Sequence, residues 1–287
     1  MTSPRLLLKA WHLKPKKRWG QTFLSDPTTA ETIVTRANFA ANDVVLEIGA
    51  GLGALTIPVA RVVKKVYAVE KDHLLIELLK AELLVHRISN CEIIEQNILN
   101  LNFHAFAESA GCKIIVTGNL PYNISSQILV NLIQARTAVK RAVLMFQKEL
   151  AQRMTAQPGN KSYGRITAML RYCAEVQPLV IVKASVFYPP PKVDSEVIAI
   201  RFKPTTIYGV HDEAMLFKVI KAGFGNRRKT LKNALTASEL KIDSQTALRA
   251  LISAGIDPSR RAETLEPAEF VSLETCLRKA MEGNEVK

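Results

Sequence analysis

The chain has 287 residues, 48% of them hydrophobic and 23% charged, and a formal net charge of +13. That length supports more than one folded unit, and the apolar fraction excludes a disordered chain. A basic excess of this size favours a polyanionic partner. No apolar run approaches the roughly 20 residues that cross a bilayer, so no membrane segment is expected.

The N-terminal stretch "MTSPRLLLKAWHLKPKKRWG" carries Arg5, Lys9, Lys14, Lys16, Lys17 and Arg18 with no acid among them. Its only apolar run is Leu6–Leu8. That is not a signal peptide, and the expected location is the cytoplasm. "SDPTTAETIVTRANF" follows, with Asp26 as N-cap, Pro27 at the first helical position and apolar residues at helical spacing. "VVLEIG" reads as a short buried strand, "LGALTIPVARVV" as a helix, "KVYAVE" as the next strand and "KDHLLIELLKAELLVHR" as an amphipathic helix. "CEIIEQ" and "KIIVTGN" are further strands, and the helix "ISSQILVNLIQAR" leads to the strand "AVLMFQ". This alternation predicts an α/β fold: a Rossmann-like, mostly parallel sheet with helices on both faces.

After the proline run Pro189–Pro191, an alternating strand over 193–202 predicts an antiparallel strand added at the sheet edge. Beyond Pro204 only helical patterns remain, roughly over 211–225, 227–236, 244–254 and 267–282. The expected organisation is therefore a first domain over 1–204, with a basic N-terminal arm, and a smaller all-α domain over 205–287. Lys218, Lys221, Arg227, Arg228, Lys229 and Lys232 form a second acid-free basic stretch. Two such stretches, with Trp19 and Phe224 interleaved, favour a nucleic acid over a merely solubilising face. Cys91, Cys112, Cys173 and Cys276 are scattered without a CxxC pair and read as reduced core residues. His12, His73, His86, His104 and His211 show no ligand spacing, so no metal site is expected.

The turn "LEIGAGLGA" follows a strand and opens a helix. Gly49, Gly51 and Ala54 satisfy the dinucleotide pattern, and Glu70 lies 21 residues after Gly49 at the end of the next strand, where it can accept from ribose hydroxyls. An NAD enzyme is thus one reading. The form Glu47-Ile48-Gly49-Ala50-Gly51-Leu52-Gly53, with its acid two residues before the first glycine, looks instead like the first motif of S-adenosylmethionine-dependent methyltransferases. Asn97, after the third strand, then faces the adenine amine of the donor.

The fourth strand ends in Asn119-Leu120-Pro121-Tyr122. Loops at the carboxyl ends of strands in open α/β sheets border the ligand cleft, so these residues share it with Gly49 and Glu70. Their types suit methyl transfer to an exocyclic adenine amine, a planar and poor nucleophile. The Asn119 side-chain carbonyl accepts one N–H, and a backbone carbonyl of Leu120 or Pro121 accepts the other. Together they stabilise the positive charge that grows on nitrogen. Pro121 stiffens the loop. Tyr122 offers a stacking face, worth on the order of 1–3 kcal/mol. A base inside a duplex cannot reach such a cleft, so the target is flipped out or unpaired.

The stretches "RWGQTFLSD", "LEIGAGLGALT", "VEKD", "GNLPYNISS", "MFQKELAQR", "SYGRITAM", "VFYPPPKVDS", "FGNRRKTLKNAL" and "RAETLEPAEF" carry a nearly end-to-end resemblance. The chain resembles the small-subunit ribosomal RNA adenine N6,N6-dimethyltransferases of the KsgA type. The resemblance implies dimethylation of two adjacent adenosines near the 3′ end of small-subunit (16S) RNA, late in 30S assembly. It implies a monomer that meets an immature 30S subunit. It implies S-adenosylmethionine contacts from Gln21, Thr22, Leu24, Gly49, Gly51, Glu70, Asn97 and Asn119. It implies that Phe187 faces Tyr122 across the target base. It also implies RNA contacts from Arg227, Arg228, Lys229 and Lys232 in the helical domain, beside Lys16, Lys17 and Arg18 of the arm. Asn97 stands where the family usually has aspartate, and Thr22 where Asn or His is commoner. Two alternatives remain: a large-subunit RNA methyltransferase of the antibiotic-resistance type, and a non-catalytic RNA-binding assembly factor.

Overall fold

The computed structural model describes residues 2–203, 208–210, 212–226 and 228–282. The chain divides into two compact units, Met1–Ala151 with Val176–Phe202, and Gln152–Glu175 with Lys203–Lys287. The segment Gln152–Glu175 therefore belongs with the second unit, whereas the sequence reading runs the first domain unbroken to 204.

In the first unit, helix α1 (Pro4–Ala10) precedes the short strand β1 (Phe23–Leu24) and helix α2 (Pro27–Ala37). Helix α2 starts as its sequence dictates: the Asp26 carboxylate accepts from Thr29 N at 2.8 Å, with Pro27 at the first turn. Ala30, Ile33, Val34 and Ala37 share its buried face. There follow β2 (Val44–Ile48), α3 (Thr56–Ala60), β3 (Lys65–Glu70), α4 (His73–Val85), β4 (Cys91–Glu95), α5 (Phe103–Ser109), β5 (Ile114–Asn119), α6 (Ser125–Gln134), β6 (Val139–Gln147) and α7 (Lys148–Met154). After α8 (Arg165–Cys173) come β7 (Ala174–Val182), β8 (Phe187–Tyr188) and β9 (Ser195–Phe202).

Seven strands form one sheet in the order β4-β3-β2-β5-β6-β9-β7. The pairs β4–β3, β3–β2, β2–β5 and β5–β6 are parallel, and β9 runs antiparallel to β6. The antiparallel strand is thus present as expected, but β7 lies outside it. Strands β1 and β8 pair separately, Phe23 with Tyr188 and Leu24 with Phe187. The central strands are buried on both faces: Val45, Leu46, Val66, Ile114, Ile115 and Val116 are all fully enclosed. Because β2 to β5 are parallel, their carboxyl ends lie along one edge of the sheet, which gathers the turns that carry Gly49, Glu70, Asn97 and Asn119.

In the second unit α9 (Glu213–Phe224), α10 (Leu231–Thr236), α11 (Ser244–Ser253) and α12 (Pro267–Glu282) occupy the four helical patterns of the sequence. Helix α8 is held among them. The buried Tyr163 hydroxyl donates to Leu265 O at 3.0 Å, and Tyr172 stacks on Tyr208 with ring centroids 5.5 Å apart. Only Cys173 of the four cysteines is buried, and Cys112 is exposed, which corrects the expectation of four core thiols. Among the described residues no helix is long and apolar enough to cross a membrane.

Candidate active site

A cleft of about 920 Å³, counted to its open mouth, lies along that edge of the first unit. Gln21, Thr22, Leu24, Gly49, Gly51, Glu70, Asn97, Asn119, Leu120 and Pro121 all line it.

The glycine turn is pinned to its neighbour strand, Gly49 N donating to Val69 O at 2.8 Å. Gly49 and Gly51 have φ of +71° and +56°, which a side chain disfavours. Gly51 N donates to Glu70 Oε2 at 3.0 Å, while Lys71 N and Asp72 N donate to Oε1 at 2.8 and 3.0 Å. Three backbone donors thereby fix the Glu70 carboxylate at the cleft wall. Asn97 is exposed, and its Oδ1 accepts from Leu99 N at 3.2 Å, so the amide caps the turn that follows β4.

The segment from Lys16 to Leu24 closes one side of the cleft. Lys16 Nζ donates to both oxygens of Asp72 at 2.8 Å. Gln21 Nε2 donates to Asp72 Oδ2 at 2.9 Å, and Gln21 Oε1 accepts from Lys16 N at 2.7 Å. Asp72 is 3% exposed. It stands at the N-cap of α4 but does not cap it, because its carboxylate serves Lys16 and Gln21 instead. The Lys16 charge is therefore matched by Asp72 within the protein. Gln21 borders the cleft with its amide already engaged at both ends.

At the other end of this segment, Asn119 Nδ2 donates to Thr22 O at 3.0 Å. This bond fixes the orientation of the amide, and Asn119 Oδ1 is left buried without a partner. Leu120 N donates to Met145 O at 3.2 Å, and Pro121 O accepts from Ile124 N at 3.2 Å. Leu120 O accepts no hydrogen bond from the described residues. Gly118, one residue earlier, has a φ of +153°, and a Cβ there would collide with Ile48 O. Bare backbone at this position is what lets β5 deliver Asn119 beside β2. Tyr122 is half-buried, with its hydroxyl 3.1 Å from Ser195 Oγ.

Phe187 is 3% exposed and packs with Leu24, Ile33, Val143 and Val197, and Leu24 itself lines the cleft. In the second unit Arg228 and Lys229 are exposed and Lys232 is half-buried. The Lys17 side chain and Arg227 lie outside the described residues.

Glu47 was noted in the sequence only as a mark of the glycine motif. It proves to be 2% exposed at the cleft, with Oε2 unpartnered. Burial, reinforced by the charge of Glu70, pushes its carboxyl up to about 8. The glycine cradle, the fixed Glu70 and the orphaned buried oxygen of Glu47 fit a ligand with a polar amino-acid end and a ribose. S-adenosylmethionine is such a ligand. Among the described residues no group of three or more His, Cys, Asp or Glu side chains is placed to hold a metal.

Comparison with known proteins agrees with this geometry. The family model described as ribosomal RNA adenine dimethylase matches residues 12–279. A ribosomal RNA small subunit methyltransferase A from Desulforapulum autotrophicum is 48% identical over 285 residues, covering 99% of each chain. One of the same name from Myxococcus xanthus is 38% identical over 96% of each chain. Among solved structures, a dimethyladenosine transferase from Plasmodium falciparum superposes with a TM-score of 0.76 at 27% identity, over 90% of this chain and 98% of that one. The 23S rRNA methyltransferase ErmE, at 23% identity and a TM-score of 0.61 over 89% and 99%, shares the fold. With matches running nearly from end to end, the chain belongs to the ribosomal RNA adenine dimethylase family.

Proposed function

We propose that the protein dimethylates the N6 amines of two adjacent adenosines near the 3′ end of small-subunit (16S) rRNA, with S-adenosylmethionine as donor, on an immature 30S subunit late in assembly. In this reading Gly49, Gly51, Glu70 and Asn97, with the segment Gln21–Leu24, hold the donor, which supplies an electrophilic methyl group. Asn119 Oδ1 and Leu120 O each accept one N–H of the target amine. Their partial charges oppose the positive charge that grows on N6 as it turns tetrahedral, and they are positioned before the reaction begins. The spare proton of the resulting ammonium passes to water, so no strong base is required. Tyr122 supports the base from one face. Arg18 with Arg228, Lys229 and Lys232 meets RNA phosphates. The enzyme acts in the cytoplasm as a monomer and needs no metal.

One observation carries this reading: the Asn119 amide is held through its nitrogen and leaves its oxygen buried and unpartnered at the cleft. A buried acceptor without a donor is costly, and an exocyclic amine supplies the missing donor. The test incubates the full chain with labelled donor and with unmodified small or large ribosomal subunits, followed by mass spectrometry of the RNA. Two N6,N6-dimethyladenosines in the small-subunit RNA are expected. Modification confined to the large subunit would give the function to the antibiotic-resistance type, and binding without transfer would give it to an assembly factor.

A further inference from the structure

We propose that Arg18 and Lys71, gathered by the indole of Trp19, form a seat for an RNA phosphate beside the target nucleotide; the proposal deepens the function above and rests on it. Three cations surround this one ring. Lys16 Nζ lies 4.3 Å, Lys71 Nζ 4.5 Å and Arg18 Cζ 5.3 Å from its centroid. Lys16 is matched by Asp72. Arg18 and Lys71 are exposed, and neither has an acidic partner among the described residues. Cation–π attraction to the indole draws both toward one point, while their mutual repulsion opposes it. An anion between them removes the repulsion and keeps the attraction.

The position of the cluster selects the anion. Trp19 and Lys71 line the mouth of the donor cleft, and Lys71 directly follows Glu70. On the other side, Gly20 packs against the methyl-accepting loop: a Cβ there would lie 3.8 Å from Tyr122 N and 4.0 Å from Pro121 Cβ. The cations thus stand between the donor pocket and the acceptor loop. An adenosine entering that loop brings a phosphodiester on each side, one negative charge per linkage. With its faces given to cations, Trp19 is a positioning residue, and Arg18 and Lys71 contact the phosphate. The sequence alone gives Lys71 no role in RNA binding.

The test uses the full chain and a 3′-terminal fragment of small-subunit rRNA containing two adjacent adenosines, with affinity measured across a potassium chloride series. Lys71→Gln and Arg18→Gln should each weaken RNA binding several-fold. Each should lower the steepness of the log affinity against log salt line, and the two together by about 0.7, the contribution of one phosphate contact on a single strand. Trp19→Leu should weaken RNA binding with both charges retained. Donor affinity, measured by calorimetry without RNA, should be unchanged in Lys71→Gln and Arg18→Gln. Unaltered RNA affinity and salt dependence in both charge variants overturns the seat. So does a loss of donor affinity with the salt dependence intact, which would assign Lys71 to the donor carboxylate. Methyl transfer by the wild type to intact small subunits is scored separately, so failure of the seat and failure of the proposed function read differently.

Discussion

The phenol of Tyr122 and the hydroxyl of Ser195 meet at 3.1 Å across 73 residues of chain. Ser195 opens β9 and is fully buried, so its position is set by the sheet. The loop residue proposed to stack on the base is thereby referenced to the seven-stranded sheet. The first methyl acceptor has two N–H groups for two carbonyls, but the monomethylated amine has one. Its hold on the notch then depends more on stacking. Ser195→Ala should therefore slow the second methyl transfer more than the first, with N6-monomethyladenosine accumulating in a time course read by nucleoside mass spectrometry. Tyr122→Phe should behave alike, and the double variant no worse than either. Equal slowing of both transfers would remove Ser195 from this role.

Asn119→Ala deletes the buried acceptor and its tether to Thr22 O. By analogy with the loss of a single oxyanion-hole donor, kcat should fall about 10²–10³-fold. RNA affinity should stay near that of the wild type, since the phosphate contacts are elsewhere. Single-turnover transfer and filter binding separate the two. A variant that transfers normally would show that this oxygen takes no part.

Glu47 links stability to pH. Its carboxyl titrates near 4.5 when exposed and at about 8 in the fold, chiefly because of burial. Below about 4.5 both folded and unfolded chains carry the proton, and the group costs nothing. As pH rises toward 8 only the unfolded chain gives the proton up, so stability drains across this window. Denaturant unfolding of the donor-free protein should show Glu47→Gln gaining on the wild type by a few kcal/mol, on the order of that pKa difference, between the two ends of the window. Parallel pH profiles for the two proteins would contradict this.

Gly118→Ala should be among the most harmful single-methyl additions. The new Cβ meets Ile48 O of the adjacent strand, and the backbone angle disfavours any side chain. A loss of about 2–4 kcal/mol is expected from strain of this type, read as a lowered Tm, with transfer activity falling further because Asn119 is the next residue. Gly111→Ala, at a glycine with open space around it, is the comparison; an equal effect there would show that crowding by Ile48 is not the cause.

Local chemistry wrote much of this site into the sequence. Asp26 and Pro27 announced α2, short apolar runs announced β2 to β6, and the spacing of Gly49, Glu70, Asn97 and Asn119 placed them at one sheet edge. What stayed hidden depends on partners distant in the chain. Strand β7 reads "AEVQPLVIV", whose Pro178 argues against a strand, yet outside β9 it is an edge, where a missing N–H is tolerated. Lys16 sits in a run of cations, and nothing in that run shows an acid 56 residues away. Phe187 pairs with Leu24, 163 residues earlier in the chain, a contact that nothing local to either residue announces. The need for Gly118 arises from Ile48 on another strand.

The oxygen that anchors Asn119 belongs to the main chain of residue 22, and every amino acid brings one. Drift in the identity of that residue therefore leaves the Asn119 amide undisturbed, so a threonine serves at position 22 as well as any other residue would. Chain length offers no such latitude: adding or deleting a single residue between the Asp72 anchor at Lys16 and the carbonyl at 22 would carry that oxygen out of reach.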